Sequence, residues 1–201
     1  MRAMKRVVAA ATLALGVLAL VPTEALAQNC YWNTSSSLAS GYTPTEYSRD
    51  NGVSWHPAYS VSPEFTYAVL PGTSYINYNP TTSGTDQSWT KYRTSFYVAP
   101  PPSGTRVFQR HLTLEVHADN VAWAYLDGSL FFQQSWTDNE SNFQGAPEGT
   151  SLSIGTGYHT LSFELFNFAG PTALDYRVTV EEYRCEPCQD PTQRFCEATP
   201  L

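Results

Sequence analysis

The chain has 201 residues, a formal net charge of −7, and nearly as many aromatic as charged residues, about 14% of each. A polyanion must be met by cationic groups, so this acidic balance excludes nucleic acid as a partner and excludes an anionic membrane surface. Tyr, Trp, Thr and Phe favour pleated, half-buried surfaces and good helix formers are scarce, which predicts an all-β protein.

Residues 1–27 read as a secretory signal. Arg2, Lys5 and Arg6 precede an apolar run from Val7 to Val21, and Ala25-Leu26-Ala27 is a small-x-small cleavage site. The run is too short for a membrane anchor, so a secreted protein without membrane insertion is expected, extracellular or at the cell surface. Cleavage removes three cations and one carboxylate, Glu24, and leaves Lys91 as the only lysine.

Residues 28–90 alternate weakly, with short strands expected around Ser54–Tyr59, Glu64–Leu70 and Ser74–Tyr78. A polar loop follows from Asn79 to Ser88. Beyond it the period-2 signal is clear: Tyr92, Thr94, Phe96 and Val98 alternate with Arg93, Ser95 and Tyr97 until Pro100-Pro101-Pro102 ends the strand. Leu112, Leu114, Val116 and Ala118 share one face of the next strand. Ala122–Leu126 runs into Asp127-Gly128, a hairpin turn signal. Tyr158–Phe168 and Asp175–Tyr183 complete the pattern, joined at Gly170-Pro171. Short strands between Gly, Pro and Asn turns predict two packed antiparallel sheets, with Phe96, Phe163 and Tyr176 in the core. The expected organisation is a signal over 1–27, a β-sandwich over 28–185 and a tail over 186–201.

Cys30, Cys185, Cys188 and Cys196 sit at the two ends of the exported part. An even count in an exported protein reads as two disulfides, for which three connectivities exist. Cys30–Cys185 and Cys188–Cys196 are the favoured pairs, because the first would join the start of the chain to the end of its last strand. A zinc site would need a second close Cys or His pair, which the sequence lacks.

The segment Trp89-Thr90-Lys91-Tyr92-Arg93-Thr94-Ser95-Phe96 is similar to the Tyr-x-x-Arg-Thr-x-Phe entry strand of the galactose-binding-like jelly-roll domains of bacterial exported proteins. Ala118-Asp119-Asn120 followed by Ala124-Tyr125-Leu126-Asp127-Gly128 resembles that family's Ala-Asp-Asn…Val-x-Leu-Asn-Gly signature. Gly157 to Phe163, leading to Asn167 and Gly170-Pro171-Thr172, is similar to its closing motif. The resemblance covers about residues 74–183. Many such domains carry a PEP-CTERM sorting tail, but no hydrophobic helix with a basic end follows Tyr183 here, and Asp127 stands where Asn is usual. The resemblance implies an antiparallel two-sheet jelly-roll sandwich. It also implies a structural calcium between the chain ends, for which Asp50, Asn51 and Glu181 are the candidate ligands.

Sugar sites pair a flat Trp or Tyr with directional hydrogen-bonding groups. Trp136-Thr137-Asp138-Asn139 holds such groups in a loop-like segment, and Trp123, Tyr125, Asp119 and Asn167 complete the candidate ligand site. Trp55, Tyr59 and Trp89 are further candidates. Asp119 and Asn120 are expected to bond backbone groups locally, as Asp and Asn do in turns. Glu115, His117 and Asp119 share one strand face, a spacing open to metal or acid–base chemistry, but the polar outer face of a half-buried strand is the expected reading. No nucleophile motif is present, and no pair in the carboxylate pool of Glu115, Asp119, Glu140, Glu164 and Glu181 is singled out. A non-catalytic module binding carbohydrate or a cell-surface polysaccharide is the leading expectation. The alternative is a structural subunit of a filament, sheath or matrix, self-assembling by donating the Gln28–Ser40 segment to a neighbour's sheet edge. That donation becomes harder if Cys30 pairs within its own chain.

Overall fold

The computed structural model describes residues 28–137 and 142–187. Twelve strands run in chain order: β1 (Gln28–Ala39), β2 (Glu46–Ser48), β3 (His56–Pro57), β4 (Tyr59–Ser60), β5 (Ile76–Asn77), β6 (Ser88–Val98), β7 (Arg106–Asp119), β8 (Val121–Leu126), β9 (Ser129–Gln133), β10 (Glu148–Ser153), β11 (Gly157–Asn167) and β12 (Ala173–Pro187). They form two antiparallel sheets. One is ordered β10-β7-β12-β5-β4, with β1 also on β12, and the other β3-β2-β6-β11-β8-β9. From β6 onward the chain crosses repeatedly between the sheets, the winding of a jelly roll, so neighbours in a sheet are distant in sequence. Among the described residues no helix is long and apolar enough to cross a membrane.

Period-2 alternation sets the core. On β6, Tyr92, Phe96 and Val98 face inward; on β11, Leu161, Phe163 and Leu165; on β7 and β12, Leu112, Leu114, Val116, Tyr176, Val178 and Val180. Phe163 and Tyr176 meet across the two sheets with ring centroids 4.9 Å apart. Tyr176 satisfies its buried hydroxyl at 2.8 Å from the Thr45 hydroxyl. Burial pushes the Tyr176 phenol up to about 12. Phe96, Phe163 and Tyr176 are therefore core, as their alternation predicts.

Three features depart from expectation. Glu64–Leu70 is not a strand. It belongs to a covering segment, in which Val61, Tyr67 and Tyr75 pack with Ala173 as a second small core on the outer side of the β12 sheet. That cover buries the end of the Glu115–His117–Asp119 face, so His117 and Asp119 are interior residues and not a solvated outer face. The third is β1, which pairs with β12 from Gln28 to Ala39. Its sequence alternates too weakly to announce a strand, and the pairing is secured by the Cys30–Cys185 disulfide. Cys188 and Cys196 lie outside the described residues.

Candidate functional site

An antiparallel sheet with one face on the core normally shows polar residues on the other. The outer face of the β6–β11–β8 sheet follows that rule only in its middle rows. Register places its side chains in rows across the strands. Trp89 lies opposite Phe166, which lies opposite Val121; Lys91 opposite Glu164, opposite Trp123; Arg93 opposite Ser162, opposite Tyr125. Glu46 of β2 pairs with Arg93 on the other side.

At one end of this face five aromatic rings gather. Trp89 stands 5.2 Å from Trp123 and 5.8 Å from Trp136, and Phe166 lies 5.0 Å from Trp89 and 5.1 Å from Trp136. Phe168 closes the group 5.4 Å from Trp136. Trp89 and Trp136 each keep 38% of their surface exposed, so the cluster is an outer platform and not a buried core. The chain passes directly from β9 to Trp136, which explains how that loop residue reaches the rings.

The middle of the face is polar but internally compensated. The Glu164 carboxylate accepts from the Lys91 ammonium at 2.8 Å and from the Tyr125 hydroxyl at 3.0 Å. Partial burial, with this bond to Glu164 second, raises the Tyr125 phenol above its ordinary range. Arg93 donates through Nε to Glu46 at 2.7 Å, and Trp55 places its ring under the Arg93 guanidinium at 4.0 Å. Trp55 is held there by its indole N–H, which donates to the Gly52 carbonyl at 3.0 Å. Arg49 donates to the hydroxyls of Ser88 and Thr90 and stacks on Tyr78.

Trp55, Arg93 and Tyr125 line one depression of about 460 Å³ and Arg49, Ser88 and Trp89 an adjoining one of about 480 Å³; the two share Asn51, Lys91 and Glu164, and Trp89 is where the ring cluster meets them. Together they make a trough from Trp89 past Lys91 and Arg93 to Thr160. The trough offers aromatic faces beside fixed donors and acceptors.

The predicted site residues divide between places. Trp123, Tyr125 and Trp136 are on this face, and Asn51 lines the trough. Asp138 and Asn139 lie outside the described residues. Asp119 is at the end of the sandwich instead, beside a depression of about 490 Å³ lined by Phe65, Tyr67, Asn120, Phe143 and Phe168 among others. Its carboxylate accepts from the Tyr67 hydroxyl, a long-range bond where a local one to backbone was expected. Burial is the main cause that raises Asp119 to about 6, against the Tyr67 bond, which lowers it. Asn120 accepts from the Phe168 N–H at 2.8 Å. Asn167 is buried, donating to the carbonyls of Thr85 and Gly170, a structural position between loops. Lys91, Arg93 and Ser162 were not singled out in the sequence. The alternation that buries Tyr92 and Phe163 was the signal that would have placed them on the outer face.

Asp50, Asn51 and Glu181 do not converge on a cation. Asp50 accepts from the side chain and backbone N–H of Ser54 and from the Ser48 hydroxyl, which hold it well below the usual carboxylate range. Glu181 projects from β12 on the opposite sheet, across from Thr34 and His111. Among the described residues no three His, Cys, Asp or Glu side chains gather as metal ligands. This residue set does not fit a calcium site. Two further carboxylates are committed to cations, Glu115 to Arg177 and Glu182 to Arg110.

No protein-family model and no curated protein matches the sequence. Among solved structures the chain is similar to a family 35 carbohydrate-binding module from Clostridium thermocellum, at 12% identity and TM-score 0.41, covering 72% of this chain and 97% of that one. A family 35 module from an environmental isolate gives 11% identity and TM-score 0.38, over 75% and 98% of the two chains. An exo-β-1,3-galactanase from Phanerochaete chrysosporium gives 11% and 0.39 over 74% of this chain, which spans 29% of that enzyme's length.

Proposed function

We propose that this protein is a non-catalytic, secreted carbohydrate-binding module whose site is the trough on the outer face of the β6–β11–β8 sheet. The observation that carries the reading is the aromatic platform of Trp89, Trp123, Trp136 and Phe166 on a face that ordinarily meets water. Sugar rings have apolar faces and hydroxyl edges. An indole covers the first while fixed polar groups such as the Lys91–Glu164 pair meet the second. Both Glu164 oxygens are engaged, by Lys91 and by Tyr125. The carboxylate is thus held as an acceptor, which suits binding better than acid catalysis.

The alternative of assembly by strand donation loses its donor. Gln28–Ala39 is already paired with β12 of its own chain, and Cys30 is bonded to Cys185.

A glycan array, followed by affinity electrophoresis in soluble polysaccharides, tests the reading. The purified protein is retarded by at least one polysaccharide, and Trp89→Ala abolishes or strongly reduces the retardation in protein that stays folded by far-UV circular dichroism, at a lowered melting temperature because Trp89 packs on Trp123, Trp136 and Phe166. No retention on any glycan, or retention unchanged by W89A together with Trp55→Ala, would overturn it.

A further inference from the structure

Two exposed tyrosines extend the same outer face beyond the trough. Tyr97 of β6 and Tyr158 of β11 lie directly opposite each other in register, 49% and 85% exposed, with ring centroids 4.9 Å apart. Both belong to the outward set, since Phe96 and Val98 on β6 and Leu161 on β11 point to the core. The row between them and Arg93 is Ser95 with Thr160, hydroxyls 3.5 Å apart, and Thr160 also lines the trough. Along β6 the outward residues therefore run Trp89, Lys91, Arg93, Ser95, Tyr97, aromatic at each end and polar between. Eight residues separate the ends, ~26 Å of strand.

We infer that the ligand is an internal stretch of a linear, uncharged polysaccharide lying along β6 and β11, with Tyr97 and Tyr158 as a distal stacking site. The inference rests on the sugar-binding reading of the trough. The length is the first argument, because a mono- or disaccharide at the Trp89 end would leave the tyrosine pair untouched. The charge supplies the second. The Lys91 and Arg93 cations are matched by Glu164 and Glu46, Arg49 is turned to the Ser88 and Thr90 hydroxyls and the Tyr78 ring, and the whole chain carries −7. An anionic polymer would find no uncompensated basic row and an unfavourable net field. A flat protein partner would have to strip water from the Lys91–Glu164 and Arg93–Glu46 pairs, at a desolvation cost that sugar hydroxyls avoid by taking the place of that water.

The test is calorimetric titration with neutral β-linked glucan, galactan, mannan and xylan oligosaccharides of graded length, and oligogalacturonate as the anionic comparator. Affinity is expected to climb with length until the oligosaccharide spans the face. Tyr97→Ala and Tyr158→Ala are each expected to weaken the longest ligands about tenfold and to leave disaccharide affinity unchanged. Both side chains are exposed, so thermal melts should match the wild type. A plateau at one or two sugars, long-chain affinity unaffected by either variant, or preference for oligogalacturonate would each overturn this inference while leaving sugar binding in place. Binding to no oligosaccharide, together with an empty glycan array, would overturn the parent reading as well.

Discussion

Replacing Asp119 by Asn makes stability depend on pH differently in the two proteins, by an amount the structure sets. Asp119 is buried at the end of β7 under the 61–75 segment, and its carboxyl is raised from an ordinary 3.8 to about 6. A folded-state value above the unfolded one means that the native protein holds its proton more tightly. The associated stability is fully present below 3.8 and is lost as pH rises through 6. At about 1.4 kcal/mol per tenfold the full loss is ~3 kcal/mol, of which ~2.5 kcal/mol falls between pH 4 and pH 7.5. Asn is uncharged throughout and escapes it. Other carboxylates are held low instead: for Asp127, burial opposes the shift but bonds from the Thr160 N–H and His159 outweigh it. Their opposite pH dependence is common to both proteins and cancels in the difference. Urea unfolding of Asp119→Asn and wild type at pH 4, 5, 6 and 7.5 measures that difference. It should shift toward the variant by ~2.5 kcal/mol over the range, whatever its value at pH 4. A difference flat with pH, or one that moves toward the wild type as pH rises, would refute the reasoning and assign the Tyr67 bond the larger role.

Other positions give equally direct expectations. Cys30 and Cys185 are 155 residues apart, so the loop they close is long, and the double Ser variant should lose up to ~5 kcal/mol, read as a lower urea midpoint with β1 released first in hydrogen exchange. Arg110 and Glu182 form a 2.7 Å pair with only 9% and 3% of their side chains exposed. Arg110→Met strands the glutamate and should cost ~3–5 kcal/mol, while the double variant R110M/E182M should recover most of the loss.

The half of the chain from Ser88 to Tyr183 was legible because its strands alternate strongly. The inward positions of Tyr92, Phe96, Leu161, Phe163, Tyr176 and Val178 follow from a period of two, and so does the outward row from Trp89 to Tyr97. Two classes of feature were not legible. The 28–40 segment is polar and alternates weakly. It becomes a strand because β12 offers an open edge and Cys185 a covalent anchor, neither of which is local information. The burial of His117 and Asp119 depends on a non-strand segment folding over the sheet, and strand periodicity carries no trace of that cover. The site was half legible for the same reason. Trp123, Tyr125 and Trp136 were chosen as aromatics near polar groups, but Lys91, Arg93 and Glu164 became partners only through the β6–β11–β8 register. Asp119 and Asn167 have the right chemistry, yet both are buried: Asp119 accepts from Tyr67, and Asn167 gives its amide N–H to loop carbonyls while its Oδ1 lies buried without a partner.

The measurement that tests the central claim most directly is a ¹⁵N-resolved titration with a retained glycan, following the five tryptophan indole N–H signals. Trp55, Trp89, Trp123 and Trp136 all belong to the trough face, whereas Trp32 lies beside His111 and Tyr183 on the other sheet and serves as the internal control. The account predicts that the trough indoles shift together and saturate with one affinity while Trp32 stays fixed. Shifts confined to Trp32, or to the backbone amides of Phe65, Tyr67, Asn120 and Phe143 around the end depression, would contradict it.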